Sequence, residues 1–198
     1  MRIVVRKGGT SGDDIFYAST NDDYIYHAKA GHDIVVTLDG NDRLFGEGGI
    51  DLLGGGKGND ILRGGGGYDN LKGEEGADRL FGNAGNDILH GSLDEDILAG
   101  GKGRDVFIFI TNNVTGRGSD IDVVTDFATS GRNADFLGLA VAGPDDVRIA
   151  ALKELKPYMS QEGDDVHITF ETGDTMILEN VRLRQLTQQN FLFEPALV

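Results

Sequence analysis

Nine aspartates stand nine residues apart: Asp33, Asp42, Asp51, Asp60, Asp69, Asp78, Asp87, Asp96 and Asp105. Asp14 and Asp23 precede them in the same pattern, set off by one extra residue, His27. Two residues after each Asp comes a large apolar side chain, from Phe16 and Ile25 through Val35, Leu44, Leu53, Leu62, Leu71, Leu80, Leu89 and Leu98 to Phe107. The full unit reads G-G-x-G-x-D-x-U-x, with U apolar, and is plainest in GGKGNDIL (55–62), GGGGYDNL (64–71), GEEGADRL (73–80) and GNAGNDIL (82–89). Carboxylates repeated at a fixed interval make one kind of chemistry plausible, the binding of cations by stacked oxygen ligands.

The elements that must hold these carboxylates follow from the period. A nonapeptide repeat is a turn plus a short strand, and a single copy cannot bury its one apolar side chain, whereas stacked copies can. The G-G-x-G-x-D turn needs positive φ at several positions, which Gly supplies. Two copies complete one coil, so loops eighteen residues apart share an edge. One edge then carries Asp33, Asp51, Asp69, Asp87 and Asp105, and the other Asp42, Asp60, Asp78 and Asp96. Neighbours in each column lie about one strand spacing apart, ~5 Å. Like charges at that distance oppose folding unless a divalent cation lies between them. The donor set is carboxylate and carbonyl oxygen, with no Cys and no regular His, and it suits Ca²⁺ better than Mg²⁺.

The nonapeptide run resembles the RTX (repeats-in-toxin), or hemolysin-type, calcium-binding repeat. The resemblance implies an all-β chain, a right-handed parallel β-roll closed by a β-rich C-terminal cap with one short helix. It also implies that each ion takes both Asp side chains and loop carbonyls. Those carbonyls come from the first four loop positions, and the site glycines carried over are Gly46 and Gly49, Gly55 and Gly58, Gly64 and Gly67, Gly73 and Gly76, Gly82 and Gly85. Seven gaps qualify: 33–51, 51–69, 69–87 and 87–105 on one edge, and 42–60, 60–78 and 78–96 on the other. About six or seven ions are expected. Leu93 and Asp94 break the tenth loop, and the slip at His27 unsettles the sites of Asp14 and Asp23.

The chain divides into a lead-in (1–8), eleven repeats (9–108) and a capping and secretion region (109–198). Within the last, VFIFI (106–110) and IDVVTDF (121–127) read as strands, and Asp126-Phe127 with Asp135-Phe136-Leu137 resembles the segment that caps such arrays. Asp122, Asp126 and Asp135 are read first as turn caps and second as extra ligands. Residues 144–156 read as a helix between Pro144 and Pro157. DVHITF and TMILEN flank a tight turn and form a hairpin. The ending L-x-x-x-N-F-L-F resembles the C-terminus of RTX proteins, which implies type I secretion.

A formal charge of −15 argues against nucleic-acid and anionic-membrane partners. No apolar run reaches membrane-spanning length, and residues 1–10 hold no signal-peptide core. No P-loop, GxSxG, HExxH or Ser-His-Asp arrangement is present, so the expected function is non-enzymatic: a secreted, extracellular module that folds on binding Ca²⁺ and is handled by the type I secretion machinery. Two alternatives come from other classes. The repeats begin within ten residues of Met1 and leave no room for a catalytic domain, so the chain could be the C-terminal module of a larger secreted protease, lipase, alginate epimerase or glycanase. It could also bind an acidic polysaccharide through Lys57, Arg63, Lys72, Arg79 and Tyr68.

Overall fold

The computed structural model describes residues 4–112, 120–142 and 152–192. Its strands through the repeats are β1 (Val4–Gly8), β2 (Ile15–Tyr17), β3 (Asp23–Ala30), β4 (Ile34–Val36), β5 (Arg43–Gly49), β6 (Leu52–Lys57), β7 (Ile61–Gly67), β8 (Asn70–Glu75), β9 (Arg79–Gly85), β10 (Ile88–Leu93), β11 (Ile97–Lys102) and β12 (Val106–Asn112). Beyond them come β13 (Ile121–Val124), β14 (Phe136–Ala142), helix α1 (Leu152–Leu155), β15 (Met159–Glu162), β16 (Asp165–Thr169), β17 (Thr175–Leu178) and β18 (Phe191–Leu192). From β1 to β14 successive strands alternate between two sheets, ordered β1-β3-β5-β7-β9-β11-β13-β17-β16-β15 and β18-β14-β12-β10-β8-β6-β4-β2. The array is therefore a parallel β-solenoid of two faces. Among the described residues antiparallel pairing occurs only where β16 meets β15 and β17.

Register follows from the apolar eighth position. In the first sheet Tyr26, Leu44, Leu62, Leu80, Leu98, Val124 and Leu178 stand opposite one another in turn. In the second the row is Phe16, Val35, Leu53, Leu71, Leu89, Phe107, Leu137 and Phe191. All of these but Phe16 are buried, and the two rows meet as one continuous core. Truncating one such Leu to Ala costs about 2–5 kcal/mol. The strands run longer than the D-x-U-x tetrad, since the first loop residues also pair from coil to coil. The loops stack as regularly as the strands.

The expected register fails in one place. Tyr26, not Ile25, pairs with Leu44 and points inward. The Tyr24 N–H occupies the place of an Asp N–H in the column, donating to Asp42 Oδ1 at 2.6 Å. Asp23 stands one position earlier, where its Oδ1 accepts from Asn41 N–H at 2.9 Å. The extra residue therefore falls before the second repeat rather than at His27. Phe16 decides this, stacking on Tyr26 at 4.5 Å and meeting Tyr24 edge-on at 5.5 Å.

The lead-in is itself a strand, since β1 extends the first sheet beside β3. At the other end the solenoid does not stop at Phe107, because β13 and β17 continue one sheet and β14 and β18 the other. An end coil must have its apolar interior covered. Here the hairpin β16–β17 supplies Val166, Ile168 and Met176, and Phe170 stacks between Phe109 and Tyr158. Of the helix expected over 144–156, the described part is α1, followed by a 3₁₀ turn at Lys156–Tyr158. The remainder, with Phe193, lies outside the described residues. Asn190 is buried and donates to Thr129 and Asp135 carbonyls, so the N-F-L stretch is packed into the cap. Among the described residues no helix is long and apolar enough to cross a membrane.

Candidate metal sites

The two carboxylate columns form as the spacing predicts. On one edge Asp33, Asp51, Asp69 and Asp87 each donate a backbone N–H to Oδ1 of the next Asp, at 2.8–2.9 Å. On the other Asp42, Asp60 and Asp78 do the same at 2.7–2.8 Å. Each Asp carbonyl accepts the N–H of the residue after the next column Asp, as Asp51 does from Asn70 at 2.8 Å. Each of the nine column aspartates, from Asp33 to Asp105 at nine-residue intervals, is at most 2% exposed. Each is thus held on three of its polar groups by the adjoining coils.

The fourth polar group is left over. The Oδ2 atoms of Asp33, Asp51, Asp60, Asp69, Asp78, Asp87, Asp96 and Asp105 are buried and accept no hydrogen bond among the described residues. A buried carboxylate oxygen without a donor is costly. At ~5 Å and an effective dielectric of about 20, two such charges repel by ~3 kcal/mol. The carboxyls respond as expected. Burial, followed by the neighbouring column carboxylates, raises Asp60 and Asp78 to about 8 and Asp87 to about 7. Asp69 rises to about 6, and Asp33, Asp51 and Asp105 are raised as well. At Asp96, raised to about 9, Asp122 is the strongest neighbour after burial.

The orphaned oxygens converge on a cradle of backbone. A Cβ placed on Gly46 would overlap Asp51 Oδ2 and lie 2.6 Å from the Gly64 carbonyl oxygen. Gly73 stands likewise against Asp78 Oδ2 and the Gly91 oxygen, and Gly82 against Asp87 Oδ2 and the Gly100 oxygen. Gly55 stands the same way against Asp60 Oδ2 and the Gly73 oxygen, and Gly64 abuts Asp69 Oδ2. At the fourth loop position Gly49, Gly58, Gly67, Gly76 and Gly85 have positive φ, and a side chain on any of them would collide with a carbonyl of the coil before. Carboxylate and carbonyl oxygens thus come together at Gly46, Gly55, Gly73 and Gly82. That set fits a hard divalent cation of the Ca²⁺ kind.

The suspect tenth loop keeps its shape, because Asp94 adopts φ +75° in place of Gly. Left-handed φ also occurs at the second loop position in Lys29, Glu47, Glu74, Asn83 and Ser92, so Gly is not obligatory there. At the N-terminal end Asp14 donates its N–H to Asp33 Oδ1 at 2.7 Å, but its own Oδ2 accepts from Thr10. Asp23 has left the column altogether. A second ladder, unforeseen from the sequence, runs beside the carboxylates: Asn59 N–H donates to Asn41 Oδ1, Ala77 N–H to Asn59 Oδ1 and Arg104 N–H to Asn86 Oδ1.

Past the repeats, Asp122 and Asp135 extend the two columns. Asp96 N–H donates to Asp122 Oδ1 at 3.1 Å and Asp105 N–H to Asp135 Oδ1 at 2.9 Å. Asp126 takes the N–H groups of Gly100 and Gly101, a capping role. The four His side chains share no site. His27 stacks on Phe45, His32 accepts from Ile50 N–H, burial lowers His90 to about 4, and His167 lies 3.9 Å from Glu162.

No curated protein matches the chain in sequence. The solved structures similar to it include the AlgE6R3 subunit of the Azotobacter vinelandii mannuronan C5-epimerase, 26% identical with a TM-score of 0.48. That similarity covers 69% of this chain and 81% of the subunit. The extracellular lipase LipA of Serratia marcescens is 15% identical with a TM-score of 0.39, over 96% of this chain and 40% of the lipase. The family model of the RTX calcium-binding nonapeptide repeat (4 copies) matches residues 8–26, 26–53, 36–71, 54–89 and 72–107. Those matches span half of the sequence, over the same coils that carry the carboxylate columns, and the chain belongs to the RTX calcium-binding repeat family.

Proposed function

We propose that this chain is a module whose folding is coupled to Ca²⁺ binding outside the cell, and that about six or seven ions fill the gaps between column neighbours from Asp33 to Asp105. The observation that carries this is the row of buried Oδ2 atoms without donors, those of Asp51, Asp60, Asp78 and Asp87 each set against a glycine and a loop carbonyl. A bound Ca²⁺ supplies positive charge that turns repulsion within each gap into attraction. Six or seven ions bring about +12 to +14 against a formal −15. Where Ca²⁺ is scarce the columns oppose folding, and the chain is kept open for export by a type I secretion system. At extracellular Ca²⁺, sites with Kd of about 10⁻⁴ to 10⁻³ M fill and stabilise the coil by mass action. The module itself carries no catalytic role in this reading. It serves on its own or as the C-terminal part of a larger secreted enzyme.

The test is a Ca²⁺ titration followed by far-UV circular dichroism after chelation, with Mg²⁺ alongside. A cooperative coil-to-β transition at sub-millimolar to millimolar Ca²⁺, absent with Mg²⁺, is expected. A chain already β-rich in chelator and indifferent to Ca²⁺ would remove the proposal.

A further inference from the structure

The two outward faces of the solenoid differ in chemistry. Pairing in the first sheet lines up its seventh positions as Arg6, Ile25, Arg43, Ile61, Arg79 and Ile97. Its ninth positions line up as Gly8, His27, Phe45, Arg63, Phe81 and Ala99. Neither row contains a carboxylate, on a chain of formal charge −15. Arg43, Arg63 and Arg79 are exposed, and none of them takes part in an ion pair among the described residues. The matching rows of the second sheet run Ile15, Ile34, Leu52, Asn70, Ile88 and Tyr17, Val36, Gly54, Lys72, His90. There the one Lys is 3.4 Å from Glu74, and Lys57 in the adjoining loop is 3.0 Å from Glu75. Unspent positive charge is thus gathered on one face.

That face is also preorganised. The Arg63 guanidinium lies over the Phe81 ring at 4.6 Å, and His27 stacks flat on Phe45 at 4.4 Å. Stacking fixes a guanidinium plane and leaves its edge donors free to grip a carboxylate with two parallel bonds. Arg43 and Arg79 are two strands apart, ~10 Å, with Arg63 between them in the neighbouring row. We propose that this face binds an acidic polysaccharide, an extended chain of uronate sugars lying across the strands with its carboxylates on Arg43, Arg63 and Arg79.

Charge density selects this partner over other polyanions. Nucleic acid presents about one phosphate per 1.7 Å, which the acidic loops on both edges repel and three or four arginines cannot offset. A uronate chain carries one charge per sugar, close to the strand spacing, and offers apolar ring faces to Phe45, Ile61 and Phe81. The inference rests on the calcium reading in one respect: the face exists only in the folded coil, and cations in the loops lower the repulsion at its edges.

The experiment is isothermal titration of the Ca²⁺-loaded full chain with a short oligogalacturonate, with its methyl ester as the uncharged comparator. The arginine variant is R63S/R79S and the control is K57S/K72S, each checked by circular dichroism for its Ca²⁺-induced fold. The expected result is saturable binding of the acid form, at least tenfold weaker binding of the ester, at least tenfold loss in R63S/R79S and less than twofold change in the control. Absence of binding in a chain that still folds with Ca²⁺ would overturn this inference and leave the calcium reading intact. Equal binding by R63S/R79S would also overturn it, and would assign the contact to Ca²⁺ bridging at the loops. So would equal or tighter binding of duplex DNA or anionic phosphatidylserine vesicles. Failure of the chain to fold with Ca²⁺ would remove both readings.

Discussion

Replacing Asp69 by Asn separates a metal ligand from a mere turn-former, because the two roles predict opposite signs. Asn keeps the Oδ1 that accepts the Asp51 N–H at 2.9 Å, so the hydrogen-bonded column survives. What changes is the orphaned Oδ2, which becomes an NH₂ group without charge. In the metal-free coil the Asp69 carboxyl is raised by burial, and then by Asp51, from 3.8 to about 6. The folded form therefore holds its proton more tightly than the unfolded chain. Stability from that group is present below about pH 4 and is lost as pH rises through about 6, so at pH 8 the ionised side chain opposes folding. The penalty relieved by Asn is about 1–3 kcal/mol once solvent screening is allowed for. With Ca²⁺ the sign reverses. Asp69 borders two gaps, toward Asp51 and toward Asp87, and at roughly 10 to 100 times Kd each ion is worth ~1.4–2.7 kcal/mol. Weakening both costs about 3–5 kcal/mol. The assay is far-UV circular dichroism at pH 8, first in chelator with trimethylamine oxide used to induce folding, then in a Ca²⁺ titration. Asp69→Asn should need less osmolyte than the parent but more Ca²⁺. A variant equally destabilised in both series would refute the argument and leave Asp69 a structural turn residue.

Two further outcomes follow from the same geometry. Asp60, Asp78 and Asp87, with pKa values raised to about 8, 8 and 7, take up protons on folding when no metal is bound, so in chelator the coil should form more readily at about pH 5 than at about pH 8. β content in chelator that is flat or rises with pH would contradict this. Gly82→Ala places a methyl against Asp87 Oδ2 and 2.7 Å from the Gly100 carbonyl oxygen, and should raise the Ca²⁺ midpoint several-fold. Gly66→Ala, whose Cβ would meet nothing closer than 3.9 Å, should leave the midpoint unchanged, and equal effects of the two would deny the cradle its role.

The core and both carboxylate columns could be read from the chain because one nine-residue period carries them. What escaped has a physical reason in each case. Around Tyr24 two registers satisfy the same alternation, Asp23-x-Ile25 and Tyr24-x-Tyr26, and a one-residue slip exchanges the inward and outward sets. The choice is made by the stack of Phe16 on Tyr26, a contact with a neighbouring coil. The segregation of arginines was hidden because consecutive copies lie on opposite sheets. Read in order, the seventh position looks mixed; read every eighteenth residue, it alternates Arg and Ile on one face and is free of charge on the other.

The ends of the columns show why a periodic reading must stop short. After Asp105 the interval to the next column carboxylate grows from 18 residues to 30, and after Asp96 to 26. The hydrogen-bonded register is kept across both longer intervals. The two ends are then closed by different chemistry. Asp135 receives Asp105 N–H on one oxygen and Ala128 N–H, at 2.8 Å, on the other. A backbone donor thus reaches the second oxygen of Asp135, the position left without a donor between the repeats. Asp122 ends its column beside Asp120 and Asp174, and burial with those two carboxylates raises it well above the ordinary value. Burial raises Asp135 too, but only to about 6, because its two backbone N–H donors work against the shift. The two column ends therefore differ in one respect: a backbone donor reaches the second oxygen of Asp135, whereas Asp122 faces further carboxylates.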